Sequence, residues 1–201
     1  MVNGSAEASR PRYRARMDTA LLKAAFDAAM PYERYLATDP GRAAAWRSVK
    51  AELTAPQRDL LGTFTRRMPT LVLSGVWCGD CAQQGPMLEA IARAGACIDL
   101  RWIDRDAAPD LRDAVKICGG HRVPTVIWMA EDFEFVSLLG DRTLPRYRAM
   151  AARQLGPSCP VPGAALPPDE AAATLQAWLD EFERVQLILR LSGRLRQKHG
   201  D

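Results

Sequence analysis

The chain has 201 residues, 48% of them hydrophobic and 25% charged, with a net charge of +3. That is an ordinary globular balance, and a chain of this length can bury roughly 70% of its unfolded surface, so one core forms without disulfides. The composition excludes a disordered or fibrous chain, and no apolar run approaches the roughly 20 residues of a membrane helix.

The charge is uneven along the chain. Residues 1–69 hold 12 Lys/Arg against 7 Asp/Glu, and the remainder holds 15 against 17. Arg10, Arg12, Arg14 and Arg16 dominate the excess, and residues 1–16 read as a disordered, solvated basic arm rather than a nucleic-acid contact. The N-terminus lacks the apolar centre of a secretory signal. The five cysteines, Cys78, Cys81, Cys97, Cys118 and Cys159, are odd in number and thinly spread. A reducing cytoplasm is therefore expected, with neither membrane nor nucleic acid as partner.

Residues 17–69 read as a helical extension. Leu21, Leu22, Ala25, Phe26 and Ala29 recur at helical spacing until Pro31. Asp39-Pro40 has the form of an N-cap followed by proline at the first helical position. Thr54 and Gln57 have capping-box spacing ahead of Leu60, Leu61 and Phe64.

From about residue 70 the periodicity changes. Residues 70–76 predict a buried strand, Cys81 to Ala94 a helix burying Met87, Leu88 and Ile91, and Ile98 to Ile103 a second strand. A short helix is expected from Pro109 to Ile117, stopped by Gly119-Gly120. Val123 to Met129 and Phe133 to Leu139 form a hairpin around Ala130-Glu131-Asp132. Residues 143–155 are helical. A Pro/Gly-rich loop, 156–168, precedes a long helix from Asp169 to Leu191 with the stripe Leu175, Trp178, Leu179, Phe182, Val185 and Leu189. The fold class is α/β: a central mixed sheet flanked by helices, with residues 70–155 as its core. Residues 156–201 form a loop and a helix packed on it. The βαβ unit demands a parallel pair, and the hairpin adds antiparallel strands.

Trp77-Cys78-Gly79-Asp80-Cys81 stands where the first strand passes into a helix. Two thiols one helical turn apart, the first at the positive end of the helix, suit reversible disulfide exchange. The helix N-terminus favours the Cys78 thiolate by about 0.3–2 kcal/mol, while the Asp80 charge opposes it by a comparable amount. The balance predicts a pKa of roughly 6.5–8. Cys78 then attacks a substrate disulfide, and Cys81 resolves the mixed disulfide. Metal chemistry is the competing expectation: Cys78, Cys81, Cys118 and His121 have the spacing of a zinc or iron–sulfur ligand set. A non-catalytic interaction module is a third. Cys97 reads as a packing residue, Cys159 as structural or incidental, and His121 and Arg122 as solvated loop residues.

Trp77 through Cys81, with Val123-Pro124-Thr125 downstream, resembles the thioredoxin superfamily. It is most similar to thioredoxin-like proteins with a helical N-terminal extension and a Trp-Cys-Gly-Asp-Cys site. The resemblance covers residues 70–155. It implies a thiol–disulfide oxidoreductase, acting as a disulfide reductase, with Cys78 and Cys81 catalytic and Trp77, Gly79 and Asp80 supporting them. It implies that Pro124 is a cis-proline, that Val123, Pro124 and Thr125 bind substrate, and that Trp77 is an apolar shelf. No cofactor beyond the Cys78–Cys81 disulfide is implied. Substrates would be disulfide-containing proteins or small molecules, and the electron donor a thioredoxin reductase. Val72 and Leu100 stand where the family usually has a buried carboxylate and its lysine, so Asp80 or water is expected to accept the proton of the resolving thiol.

Overall fold

The computed structural model describes residues 17–155 and 169–201. The basic arm, the 156–168 loop and Cys159 lie outside the described residues.

The extension opens with α1 (Thr19–Ala28), whose N-cap Asp18 accepts from Leu21 N. It continues through α2 (Tyr32–Leu36) and α3 (Pro40–Arg47), the latter capped by Asp39 with proline at its first position. In α4 (Ala55–Gly62) the Thr54–Gln57 capping box is formed in both directions. These local signals act where the sequence puts them, because each satisfies backbone N–H groups that a helix start leaves unpaired.

The remaining elements are β1 (Met68–Ser74), α5 (Gly79–Ala94), β2 (Ile98–Asp104), α6 (Pro109–Ala114), β3 (Thr125–Met129), β4 (Phe135–Gly140), α7 (Leu144–Gln154), α8 (Glu170–Leu191) and α9 (Gly193–His199). Strand order is β2-β1-β3-β4. β1 runs parallel to β2, with Val72 opposite Trp102, and antiparallel to β3, with Val72 opposite Val126. β3 and β4 are antiparallel, with an irregularity at Trp128/Met129. The mixed sheet expected from the βαβ unit and the hairpin is thus formed. Met30 pairs with Trp102, so the extension meets the outer edge of β2 at that residue.

Several boundaries differ from the sequence expectation: β1 ends at Ser74, not residue 76, α5 starts at Gly79, not Cys81, and β3 starts at Thr125, not Val123. α6 ends at Ala114, not Ile117: Ile117 and Gly120 exchange backbone bonds of 3.0 Å across a tight turn, with Cys118 and Gly119 at positive φ. β4 begins at Phe135 because Phe133 takes a turn conformation, φ 65°. α9 was not expected; Ser192 ends α8 and its Oγ accepts from Leu195 N.

β1 is buried along its whole length. By strand alternation, Thr70, Val72, Ser74, Leu100, Trp102 and Trp128 share one face. There Trp46, Trp102, Tyr32 and Tyr35 form a cluster of ring centroids 5.4–6.1 Å apart. Trp128 meets Phe182 and Trp178 of α8 at 5.3 and 6.3 Å. The whole α8 stripe, Leu175 to Leu189, is buried. Extension and C-terminal helix are therefore built into one core.

Candidate active site

The Gly75–Trp77 turn carries the chain from β1 into α5. Cys78 N donates to Gly75 O at 2.9 Å, closing the turn. A Cβ on Gly75 would stand 2.5 Å from the Trp77 ring, so only glycine lets that indole fold back over the turn. Trp77 stays 42% exposed, with the Arg105 guanidinium 4.5 Å over its ring.

Cys78 is the N-cap of α5, half-buried, and Cys81 is fully buried one turn later. Both are free thiols. The Cys78 pKa is lowered to about 6. A hydrogen bond from the Cys81 thiol is the largest cause; burial opposes it, and the backbone N–H groups of Cys81 and Asp80 assist. Burial pushes the Cys81 thiol well up, and its bond to Cys78 adds to the effect. The two thiols therefore divide into an ionised outer sulfur and a protonated inner one.

The depression is larger than the sequence balance predicts because the hydrogen bond from Cys81 leads it, against only a last-ranked repulsion from Asp80. Its carboxylate is gripped by two α7-side arginines. Arg142 bonds one oxygen; Arg146 donates to the other from Nη2 at 2.7 Å and Nε at 2.9 Å. Burial alone would raise the Asp80 pKa, but these two cations outweigh it and hold the carboxyl below its ordinary range. Its charge is already compensated, and its repulsion of Cys78 ranks last among the influences on that thiol. The same pairing makes Asp80 the poorer of the two proton acceptors expected for Cys81, Asp80 or water. A carboxylate stabilised by two guanidiniums is a weak base.

The Val123–Pro124 peptide is cis, and Cys78 Sγ lies 3.6 Å from Val123 O. Thr125, the first residue of β3, donates from Oγ1 to Arg122 O at 2.9 Å. A Cβ on Gly140 would come within 2.7 Å of Thr125 Oγ1 and 3.0 Å of Pro124 O, so β4 approaches this loop too closely for any side chain there. Gly79 opens α5 with free space around it. Trp77, Cys78, Cys81, Val123, Pro124 and Thr125 thus meet at one end of the sheet.

The alternative ligand set is not assembled. Among the described residues no three His, Cys, Asp or Glu side chains are grouped to hold a metal ion. Cys118 is exposed on the Ile117–Gly120 turn, and His121 Nε2 is 2.8 Å from Asp113 Oδ1. The tight turn carries Cys118 outward, and His121 lies against Asp113 at the end of α6. Cys97 is half-buried against Gln186, and burial raises its thiol.

Several site-building residues escape a reading of the motif. Trp46 Nε1 of α3 donates to Val76 O at 2.9 Å, holding the residue before Trp77. Gln84 of α5 donates to Asp141 O at 3.0 Å and accepts from Trp178 Nε1 at 3.1 Å. Asp141 in turn accepts from Arg142 at 2.6 Å and from the Tyr147 hydroxyl. Arg146 also reaches Glu170 of α8 at 3.0 Å. Their only sequence signal is type and spacing, as in Arg142 and Arg146 four apart at a helix start.

The sequence profile of a family described as thioredoxin matches residues 28–151. No curated protein matches. Among solved structures, a protein of unknown function from Pseudomonas aeruginosa is similar at 22% identity and TM-score 0.56, over 80% of this chain and 93% of that one. An HIV epitope-scaffold is similar at 21% identity and TM-score 0.54, over 85% and 98%. Mitochondrial thioredoxin 3 of Saccharomyces cerevisiae, in its oxidised form, aligns at 20% identity and TM-score 0.32, over 48% and 86%.

Proposed function

Because this chain belongs to the thioredoxin family, with its α/β fold, we propose that it is a thiol–disulfide oxidoreductase that reduces disulfides through Cys78 and Cys81. One observation carries the reading: an outer thiol with a pKa near 6 stands at a helix N-terminus, directly above a buried, protonated partner. The first is the nucleophile that neutral pH supplies, and the second is the group that should not ionise until needed.

In the cycle, the Cys78 thiolate attacks one sulfur of a substrate disulfide, and the other sulfur leaves with the electron pair. Cys81 then attacks Cys78 Sγ. The Cys78–Cys81 bond forms, the mixed disulfide breaks, and the substrate departs with two thiols. Val123, beside Cys78 Sγ, presents backbone to an extended substrate segment, and Trp77 supplies an apolar shelf. Protein or small-molecule disulfides fit this description. A thioredoxin reductase is the donor we propose for re-reduction, in a reducing cytoplasm. No helix among the described residues is long and apolar enough to cross a membrane.

The test is the midpoint potential of the pair, read by alkylation mass shift in graded thiol buffers. A value near or below about −250 mV is expected of a reductase. One near about −180 mV or above would reassign the protein to isomerisation or oxidation. A pair that forms no reversible disulfide would end the exchange reading.

A further inference from the structure

The resolving thiol needs help that the motif does not supply. Cys81 is fully buried, and burial holds its thiol well above its ordinary range. Val72 and Leu100, on the face of the sheet toward α5, are apolar. Asp80 is engaged by Arg142 and Arg146. What does stand beside Cys81 is the hydroxyl of Ser74, on the same strand face as Val72 and two residues further along. Ser74 also adjoins the hydroxyl of Tyr35, which reaches in from α2 of the extension.

Both oxygens are conspicuous. Ser74 is 0% exposed and Tyr35 1%, yet neither Ser74 Oγ nor Tyr35 Oη has a well-formed hydrogen bond among the described residues. A buried polar group without a partner costs about 1–3 kcal/mol, so two side by side call for an explanation. The Tyr35 ring is fixed by stacking on Trp102 at 5.9 Å and edge-on contact with Trp46 at 6.0 Å. Trp46 itself holds Val76 of the active-site turn. Hydroxyl and thiol pair are thereby mounted on one rigid assembly.

We infer that Ser74 and Tyr35 form a hydroxyl relay that donates a hydrogen bond to the Cys81 sulfur as it becomes the resolving thiolate. The inference rests on the disulfide-exchange reading above. Tyr35 donates to Ser74 Oγ, and Ser74 donates to Cys81 Sγ. Ser74 touches the reacting sulfur and is catalytic; Tyr35 acts through it and is a positioning residue. Neither hydroxyl gains or loses a proton overall. Cys81 attacks Cys78 Sγ, the Cys78–Cys81 bond forms, the bond to the substrate sulfur breaks with its electron pair, and the proton from Cys81 ends on that departing thiolate. The titratable groups facing the two hydroxyls are Cys78 and Cys81 of α5 and Asp104 at the end of β2.

The relay is tested on the full chain with 5,5′-dithiobis(2-nitrobenzoate). Rapid acid quench and peptide mass mapping follow the Cys78 adduct and the Cys78–Cys81 disulfide separately from the other thiols. Ser74→Ala should slow conversion of adduct to disulfide about tenfold, as loss of one hydrogen bond to a charged group does, and Tyr35→Phe, which removes a bond between neutral hydroxyls, about threefold. Adduct formation should be unchanged. The pH midpoint of the second step should rise, and Ser74→Thr should restore it. An unchanged second step and midpoint, or equal slowing of both steps, would overturn the relay while leaving exchange intact. A wild-type chain that forms the adduct but never the disulfide would overturn the exchange reading, and the relay with it.

Discussion

At the scale of single residues, the reactivity of Cys78 is set first by the hydrogen bond from Cys81, with Asp80 opposing it least. The sequence places a carboxylate two residues from the nucleophile, which by itself argues for a weakly depressed thiol. In the folded chain that carboxylate is consumed by Arg142 and Arg146, which come from 62 and 66 residues away. Alkylation of Cys78 by iodoacetamide should therefore rise with pH around a midpoint of about 6. Cys81→Ala removes the largest cause of the depression and should move that midpoint toward the ordinary thiol range. Stability carries its own sign. The Asp80 pKa is lower folded than unfolded, so the pairing stabilises fully above the ordinary carboxylate range and is lost as pH falls through the depressed value. Asp80→Asn should leave acid unfolding less steep there, as read by circular dichroism along an acid titration.

Among elements, the extension and α5 fit each other through one glycine. A Cβ on Gly85 would lie 2.1 Å from Trp46 Cζ3 and 3.2 Å from Trp102. Trp46 is fully buried, and its Nε1 bond reaches the active-site turn, so the indole has no room to retreat. Gly85→Ala should destabilise the protein by about 1–3 kcal/mol through overpacking, measured by urea denaturation. Trp46→Phe keeps most of the ring contact but leaves Val76 O without its donor, a cost of about 1–3 kcal/mol. Its distinguishing sign is local: Cys78 alkylation should change in the folded protein, because the turn that aims the thiol is released.

For the whole molecule, α8 is fastened to α5 and to the segment that leads into β1. Toward the active site Trp178 holds Gln84. At the far end Gln186, 2% exposed, accepts from Thr65 N at 3.1 Å and Arg66 N at 2.8 Å and donates to Arg66 O at 3.1 Å. One amide thus satisfies three backbone groups just before β1. Gln186→Leu matches the volume and strands all three, so a loss of about 2–4 kcal/mol is expected by urea denaturation. The Cys78 pKa should stay in place, since Gln186 is not among the groups that shift that thiol.

Much of this molecule is legible from sequence because its signals are local. Asp39-Pro40 and Thr54–Gln57 start helices by pairing their own backbone, and the α8 stripe repeats at the period of a helix with one buried side. The Cys-x-x-Cys spacing likewise fixes two thiols one turn apart wherever a helix begins. Tertiary structure decided what those thiols meet. Arg142, Arg146, Ser74 and Tyr35 are ordinary residues in sequence. They bear on Cys78 and Cys81 only because β1, α2 and the start of α7 converge at one end of the sheet. A pKa depends on distance and burial, and neither is encoded by neighbours in the chain. The motif determined which atoms can react; the fold determined how readily each gives up its proton.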